Sequence, residues 1–177
     1  MESVLVPHGL IEDRIKKIAF DIREAYGDRT ITMLVILRVL ITQGAFRYAK
    51  DLVDAMDKLQ YSRTTYRPYD LEFIRVRSYM NDQQTGVTIS GLDIATLRGK
   101  DVLIVEDMID SGKTMQKLLE TLGAVGCASL KVTTLVVKRN PSGTGYIPDF
   151  VGFSLPNDWI VGYHTDYNDV SCISDLP

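Results

Sequence analysis

A chain of 177 residues with 45% hydrophobic and 24% charged positions has the composition of an ordinary globular protein, long enough to bury one sizeable core. Its formal net charge of −3, with basic residues scattered along the chain, offers no footprint for nucleic acid or an anionic membrane, so any bound anion must be held by local geometry. The two cysteines, Cys127 and Cys172, lack metal-ligand spacing, and no apolar run nears the roughly 18 residues of a membrane span; these features point to a cytoplasmic protein with one domain over residues 1–177.

Pro7-His8-Gly9 reads as a turn, with His8 an exposed turn residue. Over residues 10–26 the apolar Leu10, Ile11, Ile15, Ile18, Ala19, Ile22 and Ala25 recur at three- and four-residue steps and predict an amphipathic helix stopped by Gly27. Residues 30–37 (TITMLVIL) predict the first central strand and residues 46–56 the helix that crosses back from it. Between them, residues 38–45 (RVLITQGA) prolong the strand's apolar character before Gln43-Gly44 is reached. Residues 71–77 (LEFIRVR) alternate as a strand with one wetter face does, and residues 78–86 predict a long polar loop able to move over a site, or else a solvated hairpin.

Residues 102–105 (VLIV) form an unbroken apolar run suited to a strand buried on both faces, and Glu106 and Asp107 are expected to end it. The turn Asp110-Ser111-Gly112-Lys113-Thr114 then leads into a helix over residues 113–122, closed by Gly123 and Gly126. Residues 130–137 (LKVTTLVV) predict a further strand ending in Lys138-Arg139, and residues 149–155 and 159–163 two short ones around Pro156-Asn157. Strands alternating with helices in this way predict an α/β fold built on a doubly wound, mainly parallel sheet flanked by helices.

The chemistry concentrates after residue 105. A helix opening with Ser111, Gly112 and Thr114 presents unpaired N–H groups, hydroxyls and the positive end of its dipole, a seat for a phosphate. Carboxylates would repel that phosphate, so Glu106 and Asp107 suit ribose hydroxyls or Mg²⁺, which takes oxygen ligands. The implied ligand carries a phosphate and a diol. A triphosphate P-loop is excluded because it needs a glycine five positions before Gly112, where Asp107 stands. A plain buried strand and capped helix would explain the apolar run but not two adjacent acids followed by Asp110.

This stretch resembles the phosphoribosyl-diphosphate (PRPP) signature of type I phosphoribosyltransferases. Together with Val6-Pro7-His8-Gly9-Leu10-Ile11, Ser78-Tyr79 with Asn81-Asp82-Gln83, Val137-Lys138-Arg139, Pro148-Asp149-Phe150-Val151-Gly152-Phe153, and Val161-Gly162-Tyr163 with Asp166-Tyr167-Asn168, it makes the chain similar to hypoxanthine-guanine phosphoribosyltransferases. The resemblance implies the type I phosphoribosyltransferase fold with a small hood subdomain, a homodimer or homotetramer, Mg²⁺ as cofactor, and exchange of the pyrophosphate of PRPP for hypoxanthine or guanine to give IMP or GMP. It places Glu106 and Asp107 on the ribose hydroxyls, and Asp110, Ser111, Gly112, Lys113 and Thr114 around the 5′-phosphate, with Met108 and Ile109 in the same binding strip. Asp110 would be the catalytic residue, facing purine N7 and taking or sharing its proton. Lys138 would donate to the 6-oxo group, Trp159 would stack on the base, and Ile160 would read the purine edge through its carbonyl. Asp166 would bind Mg²⁺ with Glu106 and Asp107, Arg38 would stand for the family's pyrophosphate-loop lysine, and Ser78 and Tyr79 would shield the reaction from water. Without the resemblance, Lys138 reads as a solvated strand-edge charge and Trp159 as ordinary packing.

The chain departs from the family's pattern on the pyrophosphate side. After Leu37-Arg38 comes Val39-Leu40-Ile41-Thr42-Gln43 before Gly44-Ala45, where the family has a short Leu-Lys-Gly-Gly or Leu-Lys-Gly-Ser loop. Asp169-Val170-Ser171-Cys172 stands where the family has Phe-Arg-Asp-Leu, and the stretch before residue 6 is shorter than the family's hood-building segment. Two expectations follow: a transferase with weakened turnover, or a catalytically impaired paralogue that binds purine nucleotides. An RNA-binding regulator on the same fold is a third, disfavoured by the acidic balance.

Overall fold

The β-branched runs of the sequence become the centre of a six-stranded sheet. The computed structural model describes residues 6–37, 43–59, 69–81, 84–158, 160 and 163. In chain order these form α1 (His8–Tyr26), β1 (Ile31–Leu37), α2 (Gln43–Leu59), β2 (Tyr69–Asn81), β3 (Gln84–Ser90), a 3₁₀ turn (Ile94–Leu97), β4 (Asp101–Ile109), α3 (Lys113–Gly123), β5 (Ser129–Lys138) and β6 (Phe150–Leu155). The strand order is β3-β2-β1-β4-β5-β6, parallel throughout except for the antiparallel β2–β3 pair.

Successive side chains on a strand point to opposite faces, so the central strands feed two cores. Ile31, Met33, Val35, Leu103 and Val105 pack with α1 and α2 on one side; Leu34, Ile36, Val102 and Ile104 pack with α3 on the other. A strand covered on both faces has no polar side, which is why β1 and β4 carry unbroken apolar runs. The predicted doubly wound sheet is present in these cores.

The position of the ligand crevice follows from this topology. From β1 the chain crosses through α2 to β2 on one side, and from β4 it crosses through α3 to β5 on the other. The order therefore reverses between β1 and β4, the switch point at which open α/β sheets bind ligands outside the strands' carboxyl ends. Pairing between the two strands ends at Val35–Val105, although β1 runs on to Leu37 and β4 to Ile109.

Several expectations are corrected. Glu106 and Asp107 do not end their strand: β4 continues to Ile109 because Glu106, Met108 and Ile109 still pair with Thr134, Val136 and Val137 of β5. Residues 78–81 and 84–86 are paired strand rather than free loop; β2 runs to Asn81 and pairs back with β3, the hairpin alternative. His8 lies in the first turn of α1, since Pro7, with φ −62° and ψ 147°, caps the helix and its carbonyl accepts from the Leu10 N–H. Gly123 is the last residue of α3 rather than its stop, and Gly126 takes the positive φ of +84° just beyond. Of the last predicted strand only Ile160 and Tyr163 are described, and neither is extended into a ladder; Tyr163 sits in a turn with φ 51°, a value no strand adopts. The hood subdomain lies outside the described residues. Among the described residues no helix is long and apolar enough to cross a membrane.

The β5–β6 pairing is close enough to exclude one side chain. A Cβ built on Gly152 would overlap the Leu135 carbonyl oxygen and lie 3.1 Å from its carbon. Backbone cannot rotate aside, so Gly152→Ala should destabilise by about 1–3 kcal/mol, the usual range for overpacking. That corresponds to a fall of roughly 2–12 °C in the melting midpoint, checked by circular dichroism. An unchanged midpoint would show that β6 can shift freely.

Candidate active site

Beyond Val105 the two acids of β4 enter the crevice from opposite faces, as neighbours on a strand must. Glu106, 1% exposed, lines a cleft of about 80 Å³ together with Asp110, Ser111, Gly112, Thr114 and Met115. Asp107, 8% exposed, turns toward the start of α2, where a Cβ on Gly44 would overlap its Oδ2 and lie 3.0 Å from its Cγ. Its Oδ1 accepts the Met108 N–H at 2.9 Å. Only a residue without a side chain at position 44 leaves the Asp107 carboxylate where it is.

The turn after β4 is shaped by Gly112, which holds φ 74° and ψ −7°, the left-handed region that glycine enters without a Cβ penalty. Gly112 caps α3 with no side-chain hydrogen bond, so the helix presents its first N–H groups and its positive dipole end to whatever anion sits in the turn. The turn is braced from outside by the loop between β5 and β6. The Thr144 N–H donates to the Ser111 carbonyl at 2.8 Å, and a Cβ on Gly112 would lie 2.6 Å from Thr144 Oγ1. Tyr146 packs on the same glycine, and burial followed by the nearby Asp149 charge pushes its phenol up to about 12, so it stays protonated at neutral pH.

Asp110 follows the strand and has a half-exposed side chain, with Lys138 Nζ 4.0 Å from its Oδ2 and Asn140 Nδ2 donating to its Oδ1 at 2.7 Å. The Lys138 side chain is only 9% exposed, and β5 lies between β4 and β6. The lysine is therefore not the solvated edge charge that its place at a strand end suggested.

A family model described as the phosphoribosyl transferase domain matches residues 3–168. The chain belongs to the phosphoribosyltransferase family. Over 171 residues it is 44% identical to "Hypoxanthine-guanine phosphoribosyltransferase" of Homo sapiens, an alignment covering 96% of this chain and 76% of the relative. The protein of the same name from Mus musculus is 43% identical over 171 residues, with 96% and 76% covered. Among solved structures, the hypoxanthine-guanine phosphoribosyltransferase of Schistosoma mansoni in complex with IMP superposes with a TM-score of 0.73 at 34% identity, over 98% of this chain and 78% of that one.

Within this phosphoribosyltransferase the remaining predicted site residues are distributed unevenly. Ser111, Gly112 and Thr114 line the cleft, whereas Lys113 is exposed and Met108 half-buried. Ile109 also borders the cleft but is 3% exposed and packs in the α3-side core. Ile160 is half-buried. Arg38, Trp159, Asp166 and the side chains of Ser78 and Tyr79 lie outside the described residues. Among the described residues no group of three or more His, Cys, Asp or Glu side chains could hold a metal. Glu106 and Asp107, on opposite faces of β4, are oxygen donors of the type Mg²⁺ takes, one or two protein carboxylates with water and substrate oxygens in its other positions.

Sequence reasoning missed two residues. Gly44 reads as a displaced loop glycine, and only its contact with Asp107 shows its use. Asn140 had a signal, since Asn140-Pro141-Ser142-Gly143 is turn chemistry directly after the Lys138 strand, but nothing local ties that turn to Asp110.

Proposed function

We propose that this phosphoribosyltransferase moves the phosphoribosyl group of PRPP to N9 of hypoxanthine or guanine, forming IMP or GMP and releasing pyrophosphate. One observation carries the reading: at the switch point Glu106 and Asp110 line one cleft with the start of α3, which has no side-chain cap, while Asp107 sits on the other face of β4 and Lys138 stands beside Asp110. The similarity over 96% of the chain to proteins named for this reaction supports it.

In this reading the backbone of Ser111, Gly112, Lys113 and Thr114 holds the 5′-phosphate while Glu106 and Asp107 hold the ribose hydroxyls from the two faces of the sheet. The sugar is thus gripped at both ends, which positions its anomeric carbon between base and pyrophosphate. Asp110 accepts the hydrogen bond of purine N7–H and takes or shares that proton as charge develops. Lys138 donates to the 6-oxo group, Trp159 stacks on the base and the Ile160 carbonyl faces its edge. Arg38 stands by the pyrophosphate, and Ser78 and Tyr79, on the β2–β3 hairpin, close over the reaction. Mg²⁺, held by Asp166 with Glu106 and Asp107, would neutralise the charge of the departing pyrophosphate. The reading is completed by a single cytoplasmic domain over residues 1–177, within which the family match spans residues 3–168, that assembles as a homodimer or homotetramer.

The expected weakening of turnover rests on residues 38–42 and on the segment after Asn168, both outside the described residues. The measurement that separates an enzyme from a nucleotide binder is formation of IMP and GMP from PRPP at saturating Mg²⁺, beside calorimetric titration of GMP. Product above background is expected; tight GMP binding with none would overturn the transferase. Lys138→Ala should erode the preference for 6-oxopurines over adenine by about tenfold or more, the size of one charge-assisted hydrogen bond. An unchanged preference in competing-base assays would refute the role given to Lys138.

A further inference from the structure

We propose that Asn140 is a positioning residue for Asp110, its amide holding one carboxylate oxygen so that the other is aimed at the bound base. The inference rests on Asp110 meeting the purine as proposed above.

The geometry begins with which end of the amide faces the acid. The Ser142 N–H donates to Asn140 Oδ1 at 2.9 Å, so Oδ1 is committed to the turn and Nδ2 is the end that reaches Asp110 Oδ1 at 2.7 Å. The flipped amide would set an NH₂ against an N–H and a carbonyl against a carboxylate, two repulsions in place of two hydrogen bonds.

Asn140 is itself held. Its backbone carbonyl accepts the Gly143 N–H at 3.0 Å, closing a turn whose φ Pro141 presets. On one side of the turn the Arg139 N–H donates to the Leu155 carbonyl at 2.8 Å and its guanidinium to the Ser154 carbonyl at 2.7 Å. On the other, the Thr144 N–H donates to the Ser111 carbonyl at 2.8 Å. The loop is tied both to β6 and to the phosphate turn, so the amide has a fixed position relative to the residue it contacts.

Asp110 needs such a partner. It is half-exposed and leaves the strand at a turn, where a carboxylate would otherwise sample several rotamers. With Oδ1 engaged by Asn140, Oδ2 lies on the side of Lys138, 4.0 Å from its Nζ, the group assigned to the base's 6-oxo oxygen. One oxygen is braced and the other is left for the purine, a division that fixes the direction of proton acceptance before the base arrives.

Two substitutions separate this role from simple turn formation. Asn140→Asp keeps an oxygen for the Ser142 N–H but removes the donor and faces Asp110 with a like charge. Asn140→Ala removes both. If the donor matters, both variants lose roughly tenfold or more in kcat, the size of a charge-assisted hydrogen bond, and aspartate does no better than alanine. KM for PRPP should stay near the parent value, because Thr144 and Arg139 still hold the loop. Near-normal kcat in Asn140→Asp would show that the residue only shapes the turn and would overturn the proposal, as would parallel losses in kcat and PRPP affinity. Should alanine fail to fold, the aspartate variant alone still decides. Asp110→Asn is measured alongside: if it is crippled while both Asn140 variants are normal, only this inference fails, whereas an Asp110→Asn enzyme with full turnover would overturn the role of Asp110 as well.

Discussion

Asp110→Asn is expected to lower the rate of IMP formation by roughly 10²–10⁴-fold, the usual contribution of a positioned acid or base, while leaving GMP affinity close to that of the parent protein. The substitution preserves shape and removes only charge and basicity. An amide can still contact purine N7, but it cannot accept a proton as the glycosidic bond forms. In the proposed reading the 5′-phosphate is held by the backbone around Gly112 and the ribose by Glu106 and Asp107, none of which the substitution touches, so nucleotide binding should survive. Initial-rate assays and calorimetric titration of GMP report the two quantities separately. Equal losses in both would make Asp110 a structural member of the phosphate turn.

Gly44→Ala is expected to reduce kcat/KM for PRPP by roughly tenfold to a hundredfold, corresponding to about 1.5–3 kcal/mol for a charge-assisted hydrogen bond broken at the ribose. The added methyl would occupy the space of Asp107 Oδ2 and force that carboxylate to turn away. The fold itself should tolerate the change. Gly44 lies in the first turn of α2 without a positive φ, and alanine is the better helix former by about 1 kcal/mol. The loss therefore belongs to the position of Asp107, and a double-mutant cycle tests it: added to Asp107→Ala, Gly44→Ala should do no further harm. Additive losses would place the effect elsewhere, and normal kinetics in the single variant would refute the steric argument.

Asp110 and Lys138 mark how far the sequence can be read. Asp110 is legible because its neighbours announce it: a buried strand, two acids, and a glycine turn into a helix form one continuous stretch that can be recognised without any distant partner. Lys138 is legible as a candidate, yet its burial is not, since a lysine at the end of a β-branched run looks the same whether the strand lies at an edge or, as here, inside the sheet. The 78–86 stretch leaves loop and hairpin open because polar residues suit both, and only pairing of Tyr79 with Gly86 and Met80 with Thr85 chooses the hairpin. The run from Val102 onward is a strand as its β-branched residues predict, but it extends past the expected end, because the β5 partner strand continues to offer hydrogen bonds beyond the two acids.

By itself the sequence determined the periodicities and the turn chemistry: where apolar runs must be buried, where helices begin, and where a phosphate could find N–H groups. Such features depend on residues within a turn or two of one another. Tertiary structure decided which strands adjoin, and with them the crevice between β1 and β4, the approach of Gly44 to Asp107 and the hydrogen bond from Asn140 to Asp110, 30 residues away along the chain. Contacts of that kind are set by strand register and by the docking of helices on opposite faces, and a short-range pattern specifies neither.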